Sequence, residues 1–250
     1  MKPLMIDMFC GLGGWAEGGR AAGYDVVGFD IERHEYGDQR YPAQMVIQDV
    51  LTLDGAQFRD AALIVASPPC QEYSYMAMPW SRAKQIARAL RGEDEFPDGY
   101  RGSRTLAELT ALFDACFRIQ RQASAAAGRH IPMVVENVKG AQPWVGRARW
   151  NYGSFYLWGD VPALMPMTVG AGVKVPGLNW SSDDPDKRGC FRDSALKDGV
   201  KQHGSGREWF AGEGKISRMT SSGSAARKAA SAMIAKIPFA LAHHVAQVYS

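Results

Sequence analysis

Residues 4–9, Leu4-Met5-Ile6-Asp7-Met8-Phe9, form an apolar run that passes without a spacer into Cys10-Gly11-Leu12-Gly13-Gly14-Trp15. Such a run predicts a strand beginning almost at the first residue. The glycines predict a turn at which backbone can approach a ligand closely, and Ala16–Ala22, closed by Gly23, predicts a helix. Strand, glycine turn and helix make the first half of a dinucleotide-type βαβ unit, whose helix N-terminus offers unpaired N–H groups. The Gly-x-Gly-Gly spacing departs from the Gly-x-Gly-x-x-Gly of a phosphate cradle, so no bound pyrophosphate is expected.

Two further runs end on acids. Asp25-Val26-Val27-Gly28-Phe29-Asp30 reads as the next strand, and Met45-Val46-Ile47-Gln48-Asp49-Val50 as a third. About twenty residues beyond a glycine turn, an acid such as Asp30 can accept hydrogen bonds from two ribose hydroxyls. It can equally cap a helix. Asp49 could take the exocyclic amine of an adenine. Three successive strands ending in ligand-capable groups point to a nucleoside-bearing cofactor without a bound phosphate.

Ala61-Ala62-Leu63-Ile64-Val65-Ala66 predicts a buried parallel strand, which Ser67-Pro68-Pro69-Cys70 ends abruptly. A cysteine on a stiff turn at the carboxyl end of such a strand lies where open α/β sheets bind ligands. Cys70 reads either as a small buried hydrophobe or as a nucleophile. Polar Gln71-Glu72-Tyr73-Ser74 after it favours an exposed rim. The stretch from Tyr73 to Arg104 has the composition of an active-site lid, with helical character over Ser81–Arg91. Thr105–Ala127 carries apolar residues at helical spacing. Ile131–Val135 predicts a strand delivering Glu136-Asn137-Val138, and Glu136 reads as a helix cap or as a buried acid able to share a proton. Asn151–Gly159 predicts one more strand, rich in aromatic residues.

The whole chain has 250 residues and a net charge of +3, too small to establish nucleic-acid binding by itself. Its 4 cysteines are far apart, which argues against a zinc site or disulfide scaffold and fits a reducing cytoplasm. No stretch approaches the roughly 20 apolar residues of a membrane span. Over residues 170–228, Lys and Arg outnumber Asp and Glu by 11 to 7 and interleave with Trp180, Phe191, Trp209 and Phe210. Such a segment can follow phosphates, or it can be a solvated insertion. The last residues predict helices over Ala225–Ala235 and Ala240–Val248, broken at Pro238.

The set Asp7-Met8-Phe9-Cys10-Gly11-Leu12-Gly13-Gly14, Phe29-Asp30, Gln48-Asp49-Val50, Ser67-Pro68-Pro69-Cys70-Gln71, Thr105-Leu106 and Glu136-Asn137-Val138 resembles the DNA cytosine carbon-5 methyltransferases. Order and spacing match over residues 5–140, and the likeness is greater to compact phage and prophage members than to longer restriction-system enzymes. The resemblance implies a doubly wound α/β, Rossmann-like S-adenosylmethionine-dependent methyltransferase fold with a small target-recognition lobe. Residues 1–160 would be catalytic, 161–228 would read the target, and 229–250 would return a helix beside the first strand. Because that strand begins near residue 4, this helix is expected to replace the one that usually precedes it.

The resemblance also implies roles. Cys70 would be the nucleophile and Glu136 the acid that holds the cytosine ring. Phe9, Gly11, Leu12 and Gly13 would line the cofactor pocket, with Asp30 on the ribose and Asp49 and Val50 at the adenine. Pro69 and Leu106 would complete that pocket, and Pro69, Gln71 and Asn137 would help hold the flipped base. The expected partner is double-stranded DNA, with neither metal nor membrane, in a monomeric enzyme of a bacterial or phage-infected cytoplasm. Alternatives are an RNA cytosine methyltransferase and a catalytically silent DNA-binding protein.

Three departures stand out. Ser154-Phe155-Tyr156-Leu157-Trp158 replaces the family's Gln-x-Arg-x-Arg element, leaving Arg147 and Arg149 upstream as substitutes for the arginine that meets the base. The recognition region is short. Ile234-Ala235-Lys236-Ile237-Pro238 lacks the glycine and asparagine of the family's C-terminal element. An ammonium at Lys236 beside a sulfonium would repel it, whereas a cofactor with a carboxylate on its transferred carbon would pair with it. Carboxy-S-adenosylmethionine, giving 5-carboxymethylcytosine, is therefore an alternative cofactor.

Overall fold

In the computed structural model, residues 2–70, 73, 80–95, 106–165, 228–229, 232 and 235–250 are described, apart from the side chains of Trp80 and Leu106. The expectations for Gln71, for most of the 161–228 region and for much of the Glu72–Arg104 loop fall outside these residues.

The first strand, β1 (Leu4–Met8), is buried at four of its five positions, as a strand with neighbours on both edges and both faces should be. It pairs in parallel with β2 (Asp25–Asp30) on one side and β4 (Ala61–Ala66) on the other. β3 (Gln44–Ile47) extends the sheet beyond β2, and β5 (Met133–Asn137) extends it beyond β4, both in parallel. β7 (Phe155–Gly159) then pairs antiparallel with β5, and β6 (Trp150–Tyr152) forms the edge. The seven-strand order is β3-β2-β1-β4-β5-β7-β6. Winding reverses between β1 and β4, which opens a crevice beyond their carboxyl ends. This is the doubly wound α/β, Rossmann-like architecture expected from sequence.

Strand periodicity sorts the core onto two faces. Ile6, Met8, Ile64, Ala66, Met133 and Val135 pack with Phe113, Cys116 and Ile119 of the long helix α3 (Leu106–Ala127). Met5, Leu63, Val65 and Val134 pack on the opposite face with Trp15 and Ala16 of α1 (Gly14–Ala21). The C-terminal helix α5 (Phe239–Val248) adds Leu241, Ala242, Val245 and Ala246 to that second cluster. Its contact with α1 requires small residues: a Cβ on Gly18 would lie 2.4 Å from His243 N. The remaining helices are α2 (Trp80–Leu90) and the single turn α4 (Gln142–Val145).

Two sequence expectations are corrected here. The aromatic stretch at 151–159 is a hairpin rather than one strand, turning at Gly153 with φ 59°. Aromatic residues on both sides hide the short turn, which a glycine supplies in the left-handed region. The strand expected to reach Val50 ends at Ile47, because the Asp49 side chain caps a short 3-10 turn over Val50–Thr52.

Candidate functional site

Chain segments leaving β1, β2, β3 and β4 are stitched together just beyond the sheet. Cys10 N–H donates to the Phe29 carbonyl, Ser67 N–H to Met8 and Gln48 N–H to Asp30. The ends that carry Gly11, Asp30, Asp49 and Cys70 are thereby held along one rim. Trp15 of α1 adds a tie, its Nε1 donating to Ser67 Oγ at 3.0 Å.

The glycine turn begins with strain. Phe9 has φ 57°, a left-handed conformation that a bulky residue adopts only where its surroundings enforce it. A Cβ built on Gly11 meets nothing within 4 Å, so the turn leaves open space above its backbone. Leu12 is buried, and Gly13 is filled from behind: its missing Cβ would fall 2.3 Å from Pro42 Cδ and 2.9 Å from Tyr41. Gly11 therefore faces the opening, while Gly13 backs onto the β2–β3 connection.

Asp30 closes one side of the opening. Its Oδ2 accepts from Gly11 N–H at 2.9 Å and its Oδ1 from Ile31 N–H at 2.8 Å. Burial alone would raise this carboxyl, but the neighbouring His34 and the hydrogen bonds from Gly11 and Ile31 outweigh it and hold Asp30 below the ordinary carboxylate range. Ile31 is 69% exposed and Leu51 46%, an apolar residue beside each of Asp30 and Asp49. Asp49 Oδ1 accepts from Leu51 N–H at 2.9 Å. Arg118 of α3 steadies that turn, donating to the carbonyls of Leu51 and Leu53. Val50 is buried in the α3-side core.

On the other side of the switch point, Pro68 is buried, Pro69 exposed and Cys70 half-buried at the rim. Tyr73 fixes the turn behind Cys70: its N–H donates to the Cys70 carbonyl and its hydroxyl to the Leu109 carbonyl at 2.7 Å. Glu136, 8% exposed, ends the neighbouring strand β5. Asn137 joins the two, donating Nδ2–H to the Pro68 carbonyl at 2.9 Å and accepting Val138 N–H at 2.8 Å. The sequence predicted Asn137 as a base-holding residue; its observed bonds brace the cysteine loop.

Arg149 lies toward the opposite end of the sheet from this rim. Arg149 N–H donates to the Leu157 carbonyl, extending the Trp150–Leu157 pairing of the hairpin by one residue. Arg149 lies near enough to Tyr249 for its charge to be felt there, and Tyr249 donates to the Asp160 carbonyl at that far end.

Lys236 is also corrected. Its Nζ lies 2.6 Å from Glu17 Oε1, with the lysine side chain 7% exposed. The charge that motivated a carboxylated cofactor is neutralised within the protein, and that alternative is set aside.

Sequence reading missed the bracing pairs Trp15–Ser67, Asn137–Pro68 and Tyr41–Asp7 and the ion pair His34–Asp30. Only the last carries a local signal, its four-residue spacing. Among the described residues, no cluster of His, Cys, Asp or Glu is placed to hold a metal, and no helix is long and apolar enough to cross a membrane.

Residues 4–82 match the family described as C-5 cytosine-specific DNA methylase. The type II methyltransferase M.DdeI of Desulfomicrobium norvegicum is 32% identical over 79 residues, covering 28% of this chain and 19% of that protein. The chain thus spans about a fifth of that relative's length. A DNA modification methyltransferase encoded within an E. coli prophage is 20% identical over 56% of this chain and 33% of its own, with a TM-score of 0.32. The S. pombe Dnmt2 methyltransferase is 14% identical over 57% and 36%, also at 0.32. Scores at this level assign nothing further to this chain.

Proposed function

We propose that this chain, whose residues 4–82 match the family described as C-5 cytosine-specific DNA methylase, methylates carbon 5 of a cytosine in double-stranded DNA, taking the methyl group from S-adenosylmethionine. The observation that carries this is the Asn137–Pro68 hydrogen bond, which ties the strand end bearing Glu136 to the loop bearing Cys70. A half-buried thiol and a buried carboxyl then stand at the ends of adjacent parallel strands.

The groups on the rim fit the cofactor. Asp30 keeps acceptor capacity for ribose hydroxyls, and the exposed side chains of Ile31 and Leu51 suit the faces of a purine. Asp49 Oδ2 is available to an exocyclic amine. Gly11 leaves room where backbone must come close, as expected of a site that binds a nucleoside without its phosphate.

Carbon 5 of cytosine is a poor nucleophile, and Cys70 remedies that. Its thiolate adds to carbon 6, and the electron pair of the 5,6 double bond makes carbon 5 enamine-like. Glu136 holds a proton at ring nitrogen 3 and accepts from the exocyclic amine, which stabilises the adduct as it forms. S-adenosylmethionine, when bound, supplies the electrophilic methyl group. Loss of the carbon-5 proton to a base then restores the double bond and expels Cys70. A stacked base exposes neither face of its ring, so the cytosine must leave the duplex first.

The test is covalent trapping. Fluorine at carbon 5 cannot leave as the proton does, so a 5-fluorocytosine duplex with cofactor should yield an adduct that survives denaturation and requires Cys70. Failure to trap in every cytosine context would exclude this chemistry. Trapping on transfer RNA instead of duplex DNA would replace the substrate and keep the mechanism.

A further inference from the structure

Asp30 has a histidine beside the oxygen that a ribose hydroxyl would also approach. An ionised carboxylate offers about four lone-pair directions. Gly11 N–H takes one on Oδ2 and Ile31 N–H one on Oδ1. His34 Nε2 lies 3.7 Å from the same Oδ1, where the two side chains are only 21% and 11% exposed. A ribose diol bound through both oxygens needs one free direction on each. His34, 3.7 Å away, stands beside the direction that remains on Oδ1.

We propose that His34 competes with the cofactor ribose for Asp30, so that the cofactor binds more tightly once His34 has lost its proton. The inference rests on the cofactor assignment above. The imidazolium is held by Asp30 as an ion pair, whereas the neutral ring is held weakly and can turn aside. Space for that movement exists, because a small cavity beside the ring is lined by Arg33, Glu35, Arg40 and Tyr41. The other ring nitrogen lies 3.5 Å from the Tyr36 hydroxyl, a contact long enough to be given up.

The charges around the ring set the sign. The Asp30 hydrogen bond raises the His34 pKa above its ordinary value, burial opposes this, Asp30 and Glu32 add attraction, and Lys228 from the C-terminal segment subtracts from it. Arg33, Glu35 and Arg40, from its own loop, line the cavity beside it. Asp30 is itself held low, so it stays ionised throughout the range in which His34 titrates. Displacing His34 costs most when the ring is charged.

The experiment measures the dissociation constant of S-adenosylhomocysteine by calorimetry between about pH 5.5 and pH 8. Wild type should bind about fivefold or more tightly at the upper end. His34→Phe, planar but without donor or charge, should be flat with pH and at least as tight as wild type at high pH. His34→Lys should be weak throughout. A second measurement needs no variant: saturating ligand should lower the His34 ring pKa followed by NMR, because the coupling is reciprocal. A pH-independent wild type, a slope retained in His34→Phe, or an unmoved ring pKa overturns the competition alone. Absence of binding at any pH, or Asp30→Asn binding like wild type, overturns the cofactor assignment and the competition together.

Discussion

The ammonium of Lys236 lies 2.6 Å from Glu17 Oε1, an ion pair that bridges 219 positions of sequence. It sits where the backbone of Ile237 covers Gly14, whose added Cβ would fall 2.4 Å from the Ile237 carbonyl oxygen. The pair therefore closes the C-terminal segment against the first turn of α1. Lys236 is 7% exposed but Glu17 is 36%, so solvent screens half of the partnership. Lys236→Met keeps the volume, removes the charge and lets Glu17 turn to water. It should cost about 1–2 kcal/mol, less than a fully buried pair would. Urea denaturation reads this directly, and an unchanged midpoint would mean that the pair contributes nothing.

Cys70→Ala separates chemistry from folding. The thiol stands half-buried on a turn already held by Pro68, Tyr73 and Asn137, so its removal leaves little cavity. Thermal stability should change by less than about 1 kcal/mol, as for a rim position outside the core. Methyl transfer and trapping should both disappear. Residual turnover near wild type would remove Cys70 from the mechanism. Glu136→Gln keeps the shape without the proton, and a deficit on the order of 10²–10⁴ in rate is expected. An unchanged rate would return Glu136 to a structural role.

Much of this site was legible because its strands announce themselves. Apolar, β-branched runs such as Ala61–Ala66 need little tertiary information, and the residues that end them mark the rim. What remained hidden depends on partners remote in sequence. Lys236 looked like a charge facing the cofactor because nothing local to it names Glu17. The hairpin was hidden because its turn at Gly153 is concealed among aromatic residues. The bond of Asn137 to Pro68 was hidden too, since it crosses 69 residues.

Asn137 offers a sharper test of that brace. The side chain is 1% exposed and serves two backbone groups. Asn137→Ala leaves the Pro68 carbonyl without its donor, at about 1–3 kcal/mol of stability. Because the loop that positions Cys70 is loosened, kcat should fall by about 10–100-fold, with a smaller change in the KM for DNA. Asn137→Asp should be worse at neutral pH, since it turns an acceptor toward an acceptor. A KM effect exceeding the kcat effect would point to direct contact with substrate instead.

Asp7 yields a prediction of opposite sign to the usual carboxylate. It is fully buried in β1, its Oδ2 accepts from the Tyr41 hydroxyl at 3.1 Å, and its Oδ1 has no hydrogen-bond partner. Burial raises its pKa well above the ordinary range; the Tyr41 hydrogen bond opposes this, and the nearby charge of Asp30 adds to it. In the unfolded chain the same carboxyl ionises near pH 4. The folded state therefore binds more protons than the unfolded one above that point, and this contribution to stability falls as pH rises through the folded pKa. Asp7→Asn removes the proton requirement while keeping an acceptor for Tyr41. The variant should match or exceed wild type in urea midpoint at pH 7 and lose that advantage as pH falls to about 4. Measuring the difference between the two proteins at several pH values cancels every other titrating group. A difference that does not vary with pH, or an Asn variant less stable at pH 7 than at pH 4 relative to wild type, would show that Asp7 is ionised in the fold.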